Sequence, residues 1–446
     1  MQQLTPAVAD SLREAIALAQ RGDPAAARSR AETALRELGS HGALHAFLGM
    51  LCCQTGDLAA GLDHLRAARA ANPEDATIAG NLATVLIEKG AFAEASELYG
   101  AELADRDATL RLWRLRAYVL QQLERHEAAA DAYRTILARA PADWESWNNL
   151  GNALAAASRL PEAIEALERA ARLRPDSGPI QLNLAGSLSH AGRFEEALAV
   201  LRRLSASDPS DVIPLAEMAT LLRYLYRDGE ALEVLERAVE LAPLDAGLWV
   251  DLADQRVAAL DFAGGELALR EALSIAPAHA EAIIRLALLL ENVNREEQLP
   301  RLLREAEQAR VERGVAQFIR ALICRRERSF EQGLAALAKV PEELNPIVRA
   351  QLEGQFRDRL GDTDGAYAAF SEMNRLFKQD PSGPERRGAV LRASLRGEAD
   401  LVTPAWYAGW KKAPPDTARP APVFLVGFPR SGTTLLDTML MGHPNA

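Results

Sequence analysis

Prolines lay a ruler along this chain. Pro73, Pro141, Pro175, Pro209, Pro243 and Pro277 fall on one grid with a step of 34 residues, and Asp107 holds the one skipped point. Two columns of small residues run in phase with it: Gly49, Ala83, Ala117, Gly151, Ala185, Ala219 and Ala253, then Gly61, Ala95, Ala129, Ala163, Ala197, Ala231 and Gly265. Just before the first of these stand Leu48, Leu82, Leu150, Leu184, Met218 and Leu252, with Arg116 out of pattern. A fixed period of this length points to a stack of like units, each burying its apolar face on its neighbours.

Within each unit the spacing predicts two antiparallel helices. Small residues let the two axes approach, and leucines fill the seam to the next unit. Proline ends the second helix, because it lacks an N–H and clashes with the preceding turn. Composition agrees, since the chain is rich in Ala, Leu, Arg and Glu, which lose little freedom in a helix, and only 5% aromatic. The pattern resembles the tetratricopeptide repeat, with Trp147, Leu150, Gly151, Ala163, Ala170 and Pro175 forming one nearly complete copy. Weaker copies lie at 8–41, with Gly22 and Ala27, and at 280–313 and 314–346; a clearer one returns at 347–380 with Gly361, Ala366, Phe370 and Met373. The resemblance implies an all-α, right-handed superhelical solenoid of about eleven repeats over residues 1–380. Arg116 marks a repeat expected to pack differently.

In such a stack the first helices line a concave face. Their sixth position reads Asn81, Leu115, Asn149, Asn183, Glu217 and Asp251. An asparagine amide both donates and accepts. The resemblance implies that Asn81, Asn149 and Asn183 hold the backbone of a peptide or protein partner; the alternative is solvated groove residues with no ligand. Replacing Asn149 and Asn183 with alanine is expected to weaken partner binding without lowering the melting temperature. Trp113, Trp144, Trp147 and Trp249, early in first helices, are read as packing between repeats rather than as a stacking platform for a ligand.

The net charge of −11 argues against a general nucleic-acid binder, which needs a basic face. The N-terminus lacks a basic start followed by an apolar run, and no apolar stretch reaches about 18 residues. A cytoplasmic location with no membrane partner is therefore expected. Cys52, Cys53 and Cys324 read as small core residues, and no metal-ligand spacing is present, so no metal is expected.

After Phe377 the repeat pattern stops. Residues 381–422 read as a helical and proline-rich linker: a turn around "KQDPSGPERRG", a helix at 388–399, and a short helix capped by Thr403 with Pro404 in its first position. That short helix carries Trp406, Tyr407 and Trp410, expected to cap the last repeat or dock the next domain. Residues 411–422 read as a stiff extended connector.

The final stretch, "VFLVGFPRSGTTLLDTML", has a different grammar. Val423–Val426 reads as a buried strand, Gly427 as a sharp turn and Thr433–Met441 as a helix. Free N–H groups at such a helix start attract a phosphate. Gly427 and Gly432 are spaced as in a nucleotide P-loop, but Thr433 stands where that loop needs lysine, and the cation is Arg430, inside the loop. This departure weighs against an ATP or GTP hydrolase. "GFPRSGTT" resembles the 5′-phosphosulfate loop of sulfotransferases, especially the tyrosylprotein and carbohydrate branches, and repeats followed by this loop resemble the bacterial tetratricopeptide-repeat sulfotransferases. Residues 423–446 would then be the first strand, loop and helix of an incomplete P-loop-like α/β domain.

The resemblance implies 3′-phosphoadenosine 5′-phosphosulfate (PAPS) as sulfuryl donor, held by Gly427, Pro429, Arg430, Ser431, Gly432, Thr433 and Thr434. Arg430 would be catalytic, meeting the sulfonate and bridging oxygen and offsetting charge on the leaving phosphate during in-line transfer to a hydroxyl. The family's general base and 3′-phosphate residues come later than Ala446. The chain is accordingly expected to be the front part of a longer enzyme and inactive alone. The rival reading is a non-catalytic repeat scaffold carrying a vestigial loop.

Overall fold

A computed structural model of the chain describes residues 4–379, 383–401 and 403–409. Two units emerge, residues 1–367 and 368–446. The first is a run of ten antiparallel helix pairs, from Pro6–Gln20 with Pro24–Leu38 to Arg313–Arg326 with Phe330–Leu337, followed by Pro346–Arg359 and the start of Thr363–Lys378. No strand occurs among the described residues.

The turn inside each pair is fixed by a column that proline spacing does not reveal. Gly22, Gly56, Gly90, Glu124, Ser158, Gly192, Tyr226, Leu260, Asn294 and Arg328 all have positive φ, between 54° and 87°, and stand 34 residues apart. Each follows the C-cap of a first helix, the position where helices end in the left-handed conformation. In the fifth pair, Arg159 N–H reaches Leu154 O at 2.8 Å and Ser158 N–H reaches Ala155 O at 2.9 Å, so the last carbonyls of Trp144–Ala156 are satisfied. The column runs unbroken through the ninth and tenth pairs, where the other sequence marks fade.

Second helices end by a different device. Their C-caps Asn72, Ala140, Arg174, Asp208, Ala242 and Ala276 share φ near −130° and ψ between 66° and 91°. Proline follows each one and drives it out of the helical region. The next first helix then hooks onto the proline: Trp147 Nε1 donates to Pro141 O at 2.9 Å, Gln181 Nε2 to Pro175 O at 3.1 Å and Trp249 Nε1 to Pro243 O at 3.0 Å. These two tryptophans fasten one repeat to the next.

The small columns are contact points. A Cβ on Gly151 would lie 2.5 Å from Leu167 Cγ, and one on Gly49 2.6 Å from Leu65 Cγ. Leu48, Leu65, Leu82, Leu154 and Leu167 are all but fully buried in the seams beside these columns. Outside, arginines bridge second helices of neighbouring pairs: Arg66–Glu94 at 2.8 Å, Arg134–Glu162 at 3.0 Å and Arg202–Glu230 at 3.3 Å. Exposed pairs of this kind add little stability each, so their regular spacing mainly fixes register.

The regular pairing is interrupted in the third pair. The third second helix is split into Phe92–Glu97 and Ala101–Arg106. Arg116, out of pattern in the leucine column, sends Nη1 to Tyr99 O at 3.1 Å inside the gap. Tyr99 Oη donates to Leu112 O at 2.9 Å, and Trp113 Nε1 turns to Asp105 Oδ1 at 3.1 Å. Asp107, on the skipped proline point, caps the next turn through Thr109 N–H at 3.0 Å and Leu112 N–H at 2.9 Å.

Cys52 and Cys324 are buried and Cys53 half-buried, all with free thiols pushed up by burial. In the second unit, the helix expected at 388–399 is longer, Pro384–Leu401, with proline at its start. The short helix Pro404–Ala408 begins where Thr403 Oγ1 accepts from Trp406 N–H at 3.1 Å. The connector 411–422 and the terminal strand, loop and helix lie outside the described residues.

Candidate functional site on the inner helical face

Several first helices of successive pairs touch one another directly, as Pro6–Gln20 does Gly42–Gln54 and Trp144–Ala156 does Gly178–His190. The inner face is laced from repeat to repeat by polar side chains. Arg111 reaches back to Asn81 Oδ1 and Thr84 Oγ1, both at 3.0 Å. Arg223 pairs with Asp251 at 2.9 Å, Arg285 with Asp254 at 3.2 Å, and Arg325 with Glu291. Burial pushes the carboxyls of Asp254 and Glu291 up despite these arginines.

Asn81, Asn149 and Asn183 are all half-buried on first helices. Asn149 and Asn183 belong to one hydrogen-bonded row, and Asn81 sits apart, held by Arg111. The residue that joins the row is Asn148, which the sixth-position reading missed. Asn183 Nδ2 donates to Asn148 Oδ1 at 2.9 Å, and Asn148 Nδ2 approaches Asn149 Oδ1 at 3.4 Å. Its signal was one column earlier in the same helix. Below the row, Tyr133 donates to Gln121 Oε1 at 2.7 Å, and burial pushes its hydroxyl up to about 12. Because Asn183 spans two repeats, the double alanine replacement removes a structural bond, and an unchanged melting temperature is no longer the expected result.

Next along the face lies a solvent-open pocket of about 680 Å³ between Gly178–His190 and Ile213–Tyr224. Its floor is apolar, with Leu182, Leu201, Leu221 and Phe194, and its rim carries Glu217 and Thr220. The Phe194 and Tyr224 rings meet at 5.1 Å between centroids.

The loop residues Gly427, Pro429, Arg430, Ser431, Gly432, Thr433 and Thr434 lie outside the described residues. Among the described residues no group of three or more His, Cys, Asp or Glu could hold a metal ion, and no helix is long and apolar enough to cross a membrane.

Family models described as tetratricopeptide repeat match residues 12–76, 53–118, 114–178 and 154–222. Residues 12–222 therefore carry tetratricopeptide repeats, and the helix pairs stack as an all-α solenoid. A model described as the sulfotransferase family matches residues 422–446. No curated protein matches the chain. Similar solved structures include a tetratricopeptide repeat protein from Parabacteroides merdae, 20% identical, covering 55% of this chain and 97% of that one with a TM-score of 0.41. Yeast Tom70 is 14% identical, covering 90% and 98%, with a TM-score of 0.43. YrrB, a repeat protein with an unusual peptide-binding site, is 20% identical, covering 43% and 96%, with a TM-score of 0.34.

Proposed function

We propose that the solenoid presents a peptide or protein acceptor to a sulfotransferase domain that opens at residue 423. The observation that carries this is the "PRSGTT" loop, Pro429–Thr434, inside the segment matched by the sulfotransferase family model and downstream of the repeats. PAPS would supply the sulfuryl group. Arg430, a fixed planar cation, would stabilise charge on the leaving phosphate, and the loop amides with Thr433 and Thr434 would bind the 5′-phosphate.

The test is binding of 3′-phosphoadenosine 5′-phosphate, the product nucleotide, to the protein expressed from its complete coding sequence. Arg430→Ala is expected to weaken it at least about tenfold, as loss of a charge-assisted contact would, with the helical circular dichroism unchanged. Absence of nucleotide binding sinks the enzyme reading and leaves a non-catalytic interaction scaffold.

The partner would lie along the inner face, its backbone exchanging hydrogen bonds with the Asn148, Asn149 and Asn183 amides. Asn149→Ala with Asn183→Ala should lose partner capture while destabilising the fold by only about 1–2 kcal/mol, the worth of the two hydrogen bonds lost from the row. Undiminished capture by that variant would remove the amide row from the proposal.

A further inference from the structure

A glycine, Gly186, lines the pocket beside the amide row. The column that reads Thr84, Tyr118, Asn152, Thr220 and Asp254 in other repeats reads Gly186 here. A Cβ at Gly186 would meet nothing within 4 Å. Gly186 brings no side chain to the opening, which leads onto Leu182, Leu201, Leu221 and Phe194. Its volume, about 680 Å³, falls within the range of pockets that hold a ligand. It is large enough for two adjacent side chains of a peptide.

Charge selects the occupant. On the inner face of the following repeats Asp251, Asp254, Glu281 and Glu291 each have an arginine partner. Glu217 lines the pocket, is exposed, and forms no ion pair among the described residues. No lysine or arginine lines the pocket. An apolar floor with an unanswered carboxylate at its edge is complementary to an apolar side chain next to a cation, and repels an acidic one.

We propose that this pocket is a specificity site that accepts an aromatic or branched aliphatic residue of the partner peptide together with an adjacent lysine or arginine, whose charge is met by Glu217. It rests on the reading of the inner face as a peptide-binding surface and names which sequence that surface prefers.

Three blocked peptides test it against the full chain carrying ¹³C-labelled leucine methyls, read by NMR: acetyl-Gly-Phe-Lys-Gly-amide, its Phe-Glu counterpart and its Ala-Lys counterpart. The Phe-Lys peptide should shift the methyls of Leu182, Leu201 and Leu221, and bind at least about fivefold more tightly than either of the others. Gly186→Trp, placed where the backbone has room, should abolish the shifts. Glu217→Gln should erase the preference for Lys over Glu while keeping the need for Phe. Equal binding of the Phe-Lys and Phe-Glu peptides to the unaltered chain, or shifts that survive Gly186→Trp, overturns the proposal but leaves a peptide-binding face. If none of the peptides shifts any inner-face methyl, the pocket proposal and the peptide reading fall together.

Discussion

The fifth and sixth repeats and the junction between the third and fourth solve the same packing problem with different parts. In the fifth, Trp147 hooks the preceding proline carbonyl, Gly151 admits Leu167, and the second helix runs unbroken from Leu160 to Leu173. At the junction the second helix breaks at Gly100, Arg116 replaces the seam leucine, and Trp113 turns to Asp105. Yet Gly90 and Glu124 keep the left-handed turn on the same step of 34. The repeat is thus a set of separable contacts. A polar side chain can replace an apolar one if it satisfies the backbone group that the change exposes.

The sharpest contrast lies between two glycines. A side chain at Gly151 would press on Leu167 at 2.5 Å and on Ala163 O at 3.2 Å, whereas Gly100 has nothing within 4 Å of its would-be Cβ and a φ of −87°. Gly151→Val should destabilise the protein by about 2–3 kcal/mol through overpacking. Gly100→Ala should change it by less than about 0.5 kcal/mol, as an uncrowded surface change does. Urea unfolding checks both, and similar costs at the two sites would show that the junction is packed as tightly as the regular repeats.

Restoring the regular pattern at the junction should make it worse. Arg116→Leu returns the leucine column to register but strips Tyr99 O of its donor. The expected cost is about 1–2 kcal/mol, that of leaving a carbonyl unsatisfied next to a buried tyrosine. Hydrogen exchange over 92–106 should speed up selectively. A more stable Arg116→Leu variant would mean that the helix break, not the arginine, is the accident.

This contrast also explains what could be read in advance. The proline, small-residue and leucine columns are legible because each repeats one chemical requirement: no N–H, no volume, or much apolar area. Arg116 showed in the sequence as an exception, but not its target, because the split at Gly100 has no periodic signature. The left-handed column was hidden for a related reason. It is a backbone requirement, and Glu124, Ser158, Tyr226, Leu260 and Arg328 meet it without looking like glycine. On the inner face, the sixth-position asparagines were visible, but Asn148 became visible only when the cross-repeat bond from Asn183 placed it in the same row.

The hidden column gives the next test. Leu260 sits at φ 64° and is mostly exposed, so its side chain has little packing to lose. The left-handed conformation costs a branched residue about 1–2 kcal/mol, partly offset by the greater chain entropy that glycine brings to the unfolded state. Leu260→Gly should therefore stabilise the protein by roughly 0.5–1 kcal/mol. The same change at Gly192, reversed to leucine, should destabilise it by a similar amount. A neutral or destabilising result at Leu260 would mean that its side chain contributes to packing after all.

The smallest effect separates the eighth repeat from the junction by pH. Asp254 is half-buried, and burial holds its carboxyl above the ordinary 3.8 against the pull of Arg285 and Arg223. Between 3.8 and that raised value the folded state binds more protons than the unfolded chain, so this contribution is complete below 3.8 and disappears as pH rises through the raised value. Asp107 has the opposite sign. Burial alone would raise it, but bonds from Thr109, Leu112 and Arg111 hold it below 3.8, so its contribution exists above 3.8 and is lost as pH falls through the depressed value. On acidification from neutrality, residues 246–258 should gain protection first, and the junction around 107–112 should lose it later, as measured by hydrogen exchange corrected for intrinsic rates. Asp254→Asn should erase the gain, and Asp107→Asn should bring the junction's acid-side loss to neutral pH. A fall in protection at 246–258 in step with the junction would show that Arg285, not burial, governs Asp254.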